Sequence, residues 1–360
     1  MKIGILTWHQ YHNFGSALQA AALRITLTSM GYDAKVINYL HSPGIGEYAK
    51  KIRCIIGKIS SLLNTPALYR FRYAFLRFQN DYMHLTPCVL KDDLTAFSRQ
   101  FDCLICGSDQ IWAPNVLDQS YLLDFCEGKR IRKISYAASI GLPIIPDDLV
   151  PIYQKNLFDF YRVSVREESG RELLSKATGI KAAVVLDPTL LLSCDQYIKM
   201  EQRLPIGTKP YIFCYFLNKD HNYMERVKQY ASQKGIRILG VSTNQNDKTW
   251  MDVFGAEVGP EEFLFLIHHA DTVFTDSYHG TIFSLLYHKC FYTFERFSEN
   301  DSINQNSRIY QLDKLFGIGK HIIKQDQEII NNPYLNYKEF ESNLLDARKK
   351  SLDFITEALK

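Results

Sequence analysis

The sequence lacks the features that mark membrane and secreted proteins. No apolar run among its 360 residues is long enough to span a bilayer, and the first residues, Met1-Lys-Ile-Gly-Ile-Leu, turn polar without the apolar core of a signal peptide. The sequence also lacks low-complexity tracts, short internal repeats and a glycine-serine linker. These absences predict a globular protein of the cytoplasm.

Neither sign of charge is in large excess. The chain has 42 lysines and arginines against 39 acidic residues, so its net charge of +3 does not mark a nucleic-acid-binding protein. Any anion site must therefore be local. With 46% hydrophobic and 22% charged residues the composition is that of an ordinary globular protein, and 360 residues favour two domains rather than one.

The eight cysteines are scattered except for Cys103 and Cys106, which share one apolar run. On a strand, residues three apart point to opposite faces, so this spacing does not suit a zinc or redox pair. We expect buried, reduced thiols. Since no other segment shows metal-ligand spacing, we predict no metal and no cofactor.

The first half of the chain alternates short apolar runs with helical patterns. Residues 2–7 and 34–39 read as strands around a helix over 17–30 that Gly31 ends, which is a βαβ unit. Further strands are predicted at 101–106, 131–137, 161–166 and 182–186. Such alternation is typical of a mostly parallel sheet.

A second series follows the polar, proline-containing segment 201–210, with strands predicted at 211–216, 237–241, 272–275 and 291–294. Residues 340–359 have the spacing of an amphipathic helix. We therefore predict an α/β protein with Rossmann-like domains over 1–205 and 206–330, and a C-terminal helix within 331–360 that packs on a domain. In such open sheets ligands bind at the carboxyl ends of strands, so we expect the site in an interdomain cleft.

Two turns of the first half could hold a ligand. In the loop 9–16, Gly15 could adopt an unusual backbone angle so that the amides of Ser16 and Ala17 face an anion; the alternative is a helix capped by Ser16. After the strand at 101–106, Asp109 could act as a general base beside Ser108. The alternative is that Asp109 caps a short turn.

Two further turns have the same strand-to-helix pattern. Arg166 could clamp a carboxylate or phosphate with paired hydrogen bonds, or could form an ion pair with Glu167 or another acid. His279, beside Gly280, could donate a hydrogen bond to phosphate or carry a proton near neutral pH. A purely structural histidine is the alternative.

The order of these turns resembles the polysaccharide pyruvyl transferase family. The matching segments are Asn13-Phe-Gly15, Gly107-Ser-Asp-Gln-Ile-Trp112, Val163-Ser-Val-Arg-Glu167, Val185-Leu-Asp-Pro-Thr189, Thr275-Asp-Ser-Tyr-His-Gly280 and Ser307-Arg-Ile309. The resemblance implies a glycosyltransferase-B-like fold, phosphoenolpyruvate as donor substrate, and a carbohydrate of a cell-surface polymer as acceptor. It also implies that Arg166 and His279 form the donor site.

One position departs from the family. Many members carry arginine two residues before the histidine, where this chain has Ser277, and Arg308 is our first choice for a replacement cation. The predicted acid-base pair is His279 and Asp109, with the division of roles left open. The predicted substrate-binding residues are Asn13, Gly15, Ser16, Ser108, Arg166, Ser277, Gly280 and Arg308.

Two other functions stay open from the sequence. A glycosyltransferase that uses a sugar nucleotide could have the same architecture, and the serine at 277 also fits a catalytically degenerate anion-binding module. The basic and aromatic segment 69–78 could rest on an anionic membrane that presents a lipid-linked acceptor, which would limit membrane contact to a peripheral one. The alternative is that its phenylalanines pack inward.

Overall fold

The computed structural model describes residues 1–10, 13–40, 73–126, 130–218, 221–241, 252–253, 258–298, 301, 303–324, 327–331 and 333–360. The chain forms two compact units. The first unit comprises Met1–Leu191 and Ala347–Lys360, and the second comprises Leu192–Asp346. The predicted boundary at residue 205 therefore lies inside the second unit. That residues 1–205 and 206–330 each form a domain stays a prediction.

The first unit contains a parallel sheet in the order β2-β1-β3-β4, and β5 and β6 pair in parallel beside it. The strand β3 is buried along its whole length, as a strand covered on both faces should be. All six strands were predicted, with longer bounds. They are β1 Lys2–Leu6, β2 Asp33–Val36, β3 Cys103–Cys106, β4 Arg132–Ser135, β5 Ser164–Val165 and β6 Ala183–Val184.

The first helix of this unit begins earlier than the sequence indicated. It runs over Phe14–Ser29, because the side chain of Asn13 caps it, and Gly31 follows with the left-handed φ of +89° that glycine favours. The other helices are Leu94–Ser98, Val150–Leu157 and Glu168–Thr178, with 3-10 turns at Lys91–Asp93, Pro114–Val116, Gln119–Leu122 and Pro188–Leu190 and a π-turn at Gln79–Met83.

The second unit contains a six-stranded parallel sheet in the order β12-β11-β10-β7-β8-β9. Its strands are β7 Tyr211–Tyr215, β8 Arg237–Gly240, β9 Asp252–Val253, β10 Thr272–Thr275, β11 Cys290–Phe294 and β12 Ile322–Ile323. The sequence analysis did not predict β9 and β12, two short strands that lie outside the apolar runs it singled out. The helices are Cys194–Ile198, His221–Lys234, Pro260–His268, Tyr278–Leu286, Ser307–Phe316 and 3-10 turn Gly319–His321.

The last helix, Tyr337–Leu359, contributes to both units, which divide between Asp346 and Ala347. It is amphipathic, as predicted, with Phe340, Leu344, Ile355 and Leu359 buried. In the first unit it also bonds to the chain around β6. The amide of Leu186 donates to Oγ of Ser351 at 3.0 Å, and Nε of Arg348 donates to the carbonyl of Leu190 at 2.9 Å.

The strand orders define where ligands should bind in each unit. In the first unit the direction of winding reverses between β1 and β3, and in the second it reverses between β7 and β10. In open α/β sheets the crevice beyond the carboxyl ends of the strands at this reversal is the usual ligand site. The residues that follow β1, β3, β7 and β10 are therefore the first to inspect.

Two predictions about individual segments can be compared with the structure. Cys103 and Cys106 are free, buried thiols, as expected, but Cys88 is disulfide-bonded, which corrects the expectation of reduced thiols. Residues 73–78 are helical with Phe75 and Phe78 buried, so these two rings pack inward. Residues 69–72 lie outside the described residues.

Within the described ranges, no helix is both long enough and apolar enough to span a membrane. The buried phenylalanine rings account for part of the apolar character of segment 73–78. Phe75, for example, stacks on Phe14 with 5.5 Å between ring centroids.

We expect Ile355→Ala to lower the free energy of unfolding by about 2 kcal/mol or more, because it deletes buried methyl groups and leaves a cavity. The matched control is Leu345→Ala on the same helix, where the side chain is 64% exposed and the loss should stay within about 0.5 kcal/mol. Thermal melts of the purified variants measure both. Equal melting temperatures for the two variants would contradict the burial of this face.

Candidate functional site

Asp109 and Ser16 meet at the reversal point of the first sheet. Asp109 follows β3, Ser16 lies in the first turn of the helix Phe14–Ser29, and the Ser16 hydroxyl donates to Oδ2 of Asp109 at 2.5 Å. The other oxygen of Asp109 accepts the amide of Gln110 at 2.9 Å. Asp109 thus caps its own turn, the alternative left open from the sequence, and also accepts the Ser16 hydroxyl on its other oxygen.

The helix start beside Ser16 differs from the predicted anion site. Oδ1 of Asn13 accepts the amide of Ser16 at 3.2 Å, and the carbonyl of Asn13 accepts the amide of Ala17 at 3.1 Å. Gly15 lies within the helix, and its φ is not positive. Both amides that we expected to face an anion are therefore used by the helix itself, and the cap is Asn13 rather than Ser16.

A buried glutamine joins the ends of β1 and β3. Nε2 of Gln19 donates to Oγ1 of Thr7 at 3.0 Å, and Oε1 of Gln19 accepts the amide of Ser108 at 3.1 Å. The Thr7 hydroxyl closes the ring by donating to the Ser108 carbonyl at 2.9 Å. Sequence reasoning missed Gln19, because a polar residue inside a helix carries no signal until its neighbours are known.

Asp187 gathers several turns of the first unit. Its Oδ2 accepts NH1 of Arg166 at 2.9 Å and lies 3.2 Å from Oγ of Ser108, while its Oδ1 accepts the hydroxyl of Thr189 at 2.7 Å. All four residues are buried. Asp187 lies in one of the family-like segments but was not assigned a role; its place before proline at a strand end was the available signal.

Arg166 is held between two acids. Its Nε donates to Oε1 of Glu167 at 2.9 Å, and the same oxygen accepts the hydroxyl of Ser139 at 2.7 Å. One guanidinium therefore compensates two carboxylates, Glu167 and Asp187, and is not a surplus positive charge for an anionic ligand. The structure shows the ion-pair alternative, and the anion-clamp role stays a prediction.

The turn after β10 is built from small side chains. The Thr275 hydroxyl donates to the Tyr215 carbonyl at 2.6 Å and accepts the amide of Ser277 at 3.0 Å. Oγ of Ser277 accepts the amide of Gly280 at 3.3 Å and so caps the helix Tyr278–Leu286. A Cβ on Gly280 would lie 2.5 Å from Oγ1 of Thr275, so the close approach requires glycine here.

His279 is the second residue of that helix and is 7% exposed. Its ring lies edge-on to Tyr278 at 5.2 Å between centroids. The structure therefore puts His279 at the reversal point of the second sheet, as the sequence indicated. Its catalytic role stays a prediction.

Two arginines lie around this turn. Arg308, in the helix Ser307–Phe316, bonds through NH2 to Oε1 of Gln305 at 2.8 Å, and its guanidinium lies 5.9 Å from the centre of the Tyr278 ring. NH2 of Arg296 donates to the Asp276 carbonyl at 3.1 Å. Sequence reasoning named Arg308 but missed Arg296.

Asp276 ties the two strands at the reversal point together. Its two oxygens accept the amides of Leu217 and Asn218, each at 2.7 Å, so the chain after β7 is held against the chain after β10. Burial raises the pKa of Asp276, against the opposing effect of Arg296 and of the two amides. Asp276 thus organises the turn that presents His279.

Five of the six family-like segments fall within one family match, and Ser307-Arg-Ile309 lies beyond it. Residues 13–297 match the family model described as polysaccharide pyruvyl transferase. The chain belongs to the polysaccharide pyruvyl transferase family. Membership of this transferase family confirms the resemblance drawn from the six segments. No curated protein sequence matches the chain.

Solved structures support the fold. One similar structure is assigned as a UDP-N-acetylglucosamine 2-epimerase of Listeria monocytogenes, with a TM-score of 0.54 and 11% identity over 99% of this chain and 91% of that one. Another is the UDP-GlcNAc 2-epimerase of Neisseria meningitidis bound to UDP-GlcNAc, with a TM-score of 0.51 and 12% identity over 99% and 94%. The predicted class, Rossmann-like units of the glycosyltransferase-B type, is confirmed.

We expect Asp187→Ala to destabilise the protein by about 3 kcal/mol, because it leaves the buried Arg166 with one acid fewer and removes an acceptor from the Ser108 and Thr189 hydroxyls. The matched control is Glu168→Ala, which breaks the more exposed ion pair with Arg171 and should cost about 1 kcal/mol or less. Denaturant unfolding compares the two. A loss for Asp187→Ala no larger than the control's would refute the central place of this carboxylate.

Proposed function

We propose that the chain transfers the enolpyruvyl unit of phosphoenolpyruvate to a sugar of a cell-surface polysaccharide, or of its precursor, as a pyruvate ketal. The family match over residues 13–297 carries this proposal, and the turn that presents His279 supports it. We place the reaction in the cytoplasm, with a carbohydrate acceptor that a lipid carrier could hold.

The chemistry of ketal formation sets what the site must supply. Two acceptor hydroxyl oxygens bond to C2 of phosphoenolpyruvate, the bond from C2 to the phosphate oxygen breaks, and C3 becomes a methyl group. Of the two hydroxyl protons, one ends on C3 and the other leaves with phosphate. The site therefore needs one group that delivers a proton and one that removes it.

We assign these proton transfers to His279 and Asp109 without dividing the two roles. His279 lies in a buried turn, where an imidazole nitrogen can give or take a proton. Asp109 keeps one oxygen in a 2.5 Å hydrogen bond with the Ser16 hydroxyl, an arrangement that can pass a proton to or from a hydroxyl. The Ser108 amide is held by Gln19 just before Asp109, and Asn13 caps the helix that carries Ser16.

The anionic donor should bind through cations rather than through helix amides. The amides of Ser16 and Gly280 already bond to Asn13 and Ser277, so helix termini offer less than the sequence indicated. We therefore propose Arg308 as the main cation for phosphoenolpyruvate, in place of the family arginine at position 277. Arg308 lies beside Tyr278 in the unit that presents His279, whereas Arg166 is shared between two carboxylates.

A second candidate function is transfer from a sugar nucleotide. The epimerase of Neisseria meningitidis binds UDP-GlcNAc on a similar fold, which is the observation that favours it. Fold similarity at this identity does not fix the donor. Ligand-dependent stability separates the candidates, since a ligand that binds only the folded state raises the melting temperature.

We expect phosphoenolpyruvate to raise the melting temperature and UDP and ADP to leave it unchanged. With a panel of glycan acceptors, phosphoenolpyruvate should then release inorganic phosphate in an acceptor-dependent manner. Stabilisation by a nucleoside diphosphate alone would replace the proposal with the glycosyltransferase. Stabilisation by phosphoenolpyruvate without phosphate release from any acceptor would favour the degenerate anion-binding module.

We expect His279→Gln to fold normally and to lose at least about a hundredfold in phosphate release, because a positioned acid or base contributes about 10²–10⁴-fold in rate. The matched control is His288→Gln, an exposed histidine just beyond the same helix that pairs with Glu341, which should keep the parental rate. Melting temperatures are measured alongside. A variant at position 279 that melts far below the parent but turns over at the parental rate would make His279 a packing residue.

A further inference from the structure

A second cluster of titratable side chains lies in the second unit, away from the turn that presents His279. Glu201 follows the helix Cys194–Ile198, His268 ends the helix Pro260–His268, and His269 is the residue that caps it. The amide of Gln202 donates to the carbonyl of Glu261 at 3.3 Å. This bond holds the segment around Glu201 alongside the helix.

The three side chains converge on one point. Oε1 of Glu201 lies 2.8 Å from Nδ1 of His268, and Oε2 of Glu201 lies 3.8 Å from Nδ1 of His269. One ligand atom from each residue lies within 4.8 Å of those of the other two. Two imidazoles and one carboxylate are a ligand set that zinc takes in proteins.

Glu201 and His268 are in close contact. Oε1 of Glu201 and Nδ1 of His268 are buried and lie 2.8 Å apart, an ion-pair distance, although no well-directed hydrogen bond joins them. Bonds of about 2.0–2.1 Å to a four-coordinate Zn²⁺ place two ligand atoms roughly 3.3 Å apart, so these two atoms would move apart by about 0.5 Å to share the ion.

His269 has the hydrogen bond that orients a metal-binding histidine. Its Nδ1 lies 3.0 Å from the carbonyl oxygen of Phe265, so the proton belongs on Nδ1, and Nε2 rather than the Nδ1 that lies 3.8 Å from Glu201 would be the ligand atom. Metal-binding histidines commonly donate their second ring nitrogen to a backbone carbonyl in this way. The bond fixes both the tautomer and the direction of the ring.

Neighbouring rings hold the cluster in place. The ring of Tyr287 stacks on His268 at 4.6 Å between centroids and 18° between planes, and the ring of Phe265 lies 4.2 Å from that of His269. Nζ of Lys289 donates to the carbonyl of His268 at 2.8 Å.

We propose that Glu201, His268 and His269 bind one divalent transition-metal ion, with Zn²⁺ the best fit, and that this ion stabilises the second unit. The histidines precede β10, whereas the turn at Ser277–Gly280 follows it. The cluster therefore lies at the amino end of the strand, and His279 lies at its carboxyl end. The ion would therefore clip two segments together rather than take part in transfer. The ligands are far apart in sequence, which is why no metal motif was visible there.

Metal binding is tested on untagged, full-length protein that has been stripped with a chelator and titrated with Zn²⁺ against a chromophoric competitor. We expect one Zn²⁺ per chain, a higher melting temperature with Zn²⁺, and visible absorption bands of tetrahedral Co²⁺ when cobalt replaces zinc. Glu201→Gln and His269→Gln should each weaken Zn²⁺ binding at least about a hundredfold. Loss of an outer-shell partner costs up to about a hundredfold in metal affinity, and loss of a ligand should cost at least as much.

The matched control is His288→Gln, which removes an imidazole that contacts Glu341 in the same unit and should leave zinc affinity and stoichiometry unchanged. Circular dichroism checks that each variant is folded, and His269, with a side chain 46% exposed, is the substitution least disturbing to packing. The parent binding no stoichiometric Zn²⁺, or the two variants binding it as tightly as the parent, would overturn the proposal. Because zinc is measured directly, this outcome is independent of the phosphoenolpyruvate assay.

Discussion

Several turns of the first unit end on the carboxylate of Asp187, which accepts hydrogen bonds from Arg166 and Thr189 and lies within reach of Ser108. Burying a carboxylate costs folding free energy unless its oxygens accept hydrogen bonds or form ion pairs. Here each oxygen has partners from a different part of the chain. Moving any one turn would leave a charge or a hydroxyl unsatisfied. The edge of the first sheet is ordered by this shared acceptor, and through Ser108 the order reaches the loop that carries Asp109.

In the second unit a different acid, Asp276, orders the turns at the strand ends. Asp276 uses both oxygens on backbone amides after β7 and so fixes the turn after β10, while Gly280 allows the helix to approach Thr275. In both units the amide of the third helical residue, Ser16 or Gly280, is capped by one of the chain's own side chains. We therefore propose that an anion is bound mainly by arginine side chains, with Arg308 preferred because Arg166 is shared between two acids.

The two ends of the second sheet have different chemistry. The carboxyl end presents a histidine, small hydroxyl residues and arginines, which suit a phosphorylated substrate. The amino end brings together a partly buried glutamate and two neighbouring imidazoles, which suit a divalent cation such as Zn²⁺. The proposed ion would therefore stabilise the fold without taking part in the proposed transfer.

The sequence by itself determined the strands, the family and the turns that matter, because each depends on short-range patterns. Residues 272–275 were predicted as a strand with the observed bounds. Of the twelve strands in the described part of the chain, ten were predicted, because buried parallel strands appear in the sequence as apolar runs. Ser16, Asp109 and His279 were found at strand ends for the same reason. Local patterns of this kind need no knowledge of distant neighbours.

Only the tertiary structure decided which partners those residues have. It showed that Asn13 rather than Ser16 caps the first helix, that Arg166 is compensated by Glu167 and Asp187, and that Gln19 joins two strand ends. It also brought Glu201 beside His268 across 67 positions of sequence. A hydrogen bond or ion pair depends on distances of a few ångströms between atoms, and such distances between remote segments are set by packing rather than by sequence spacing.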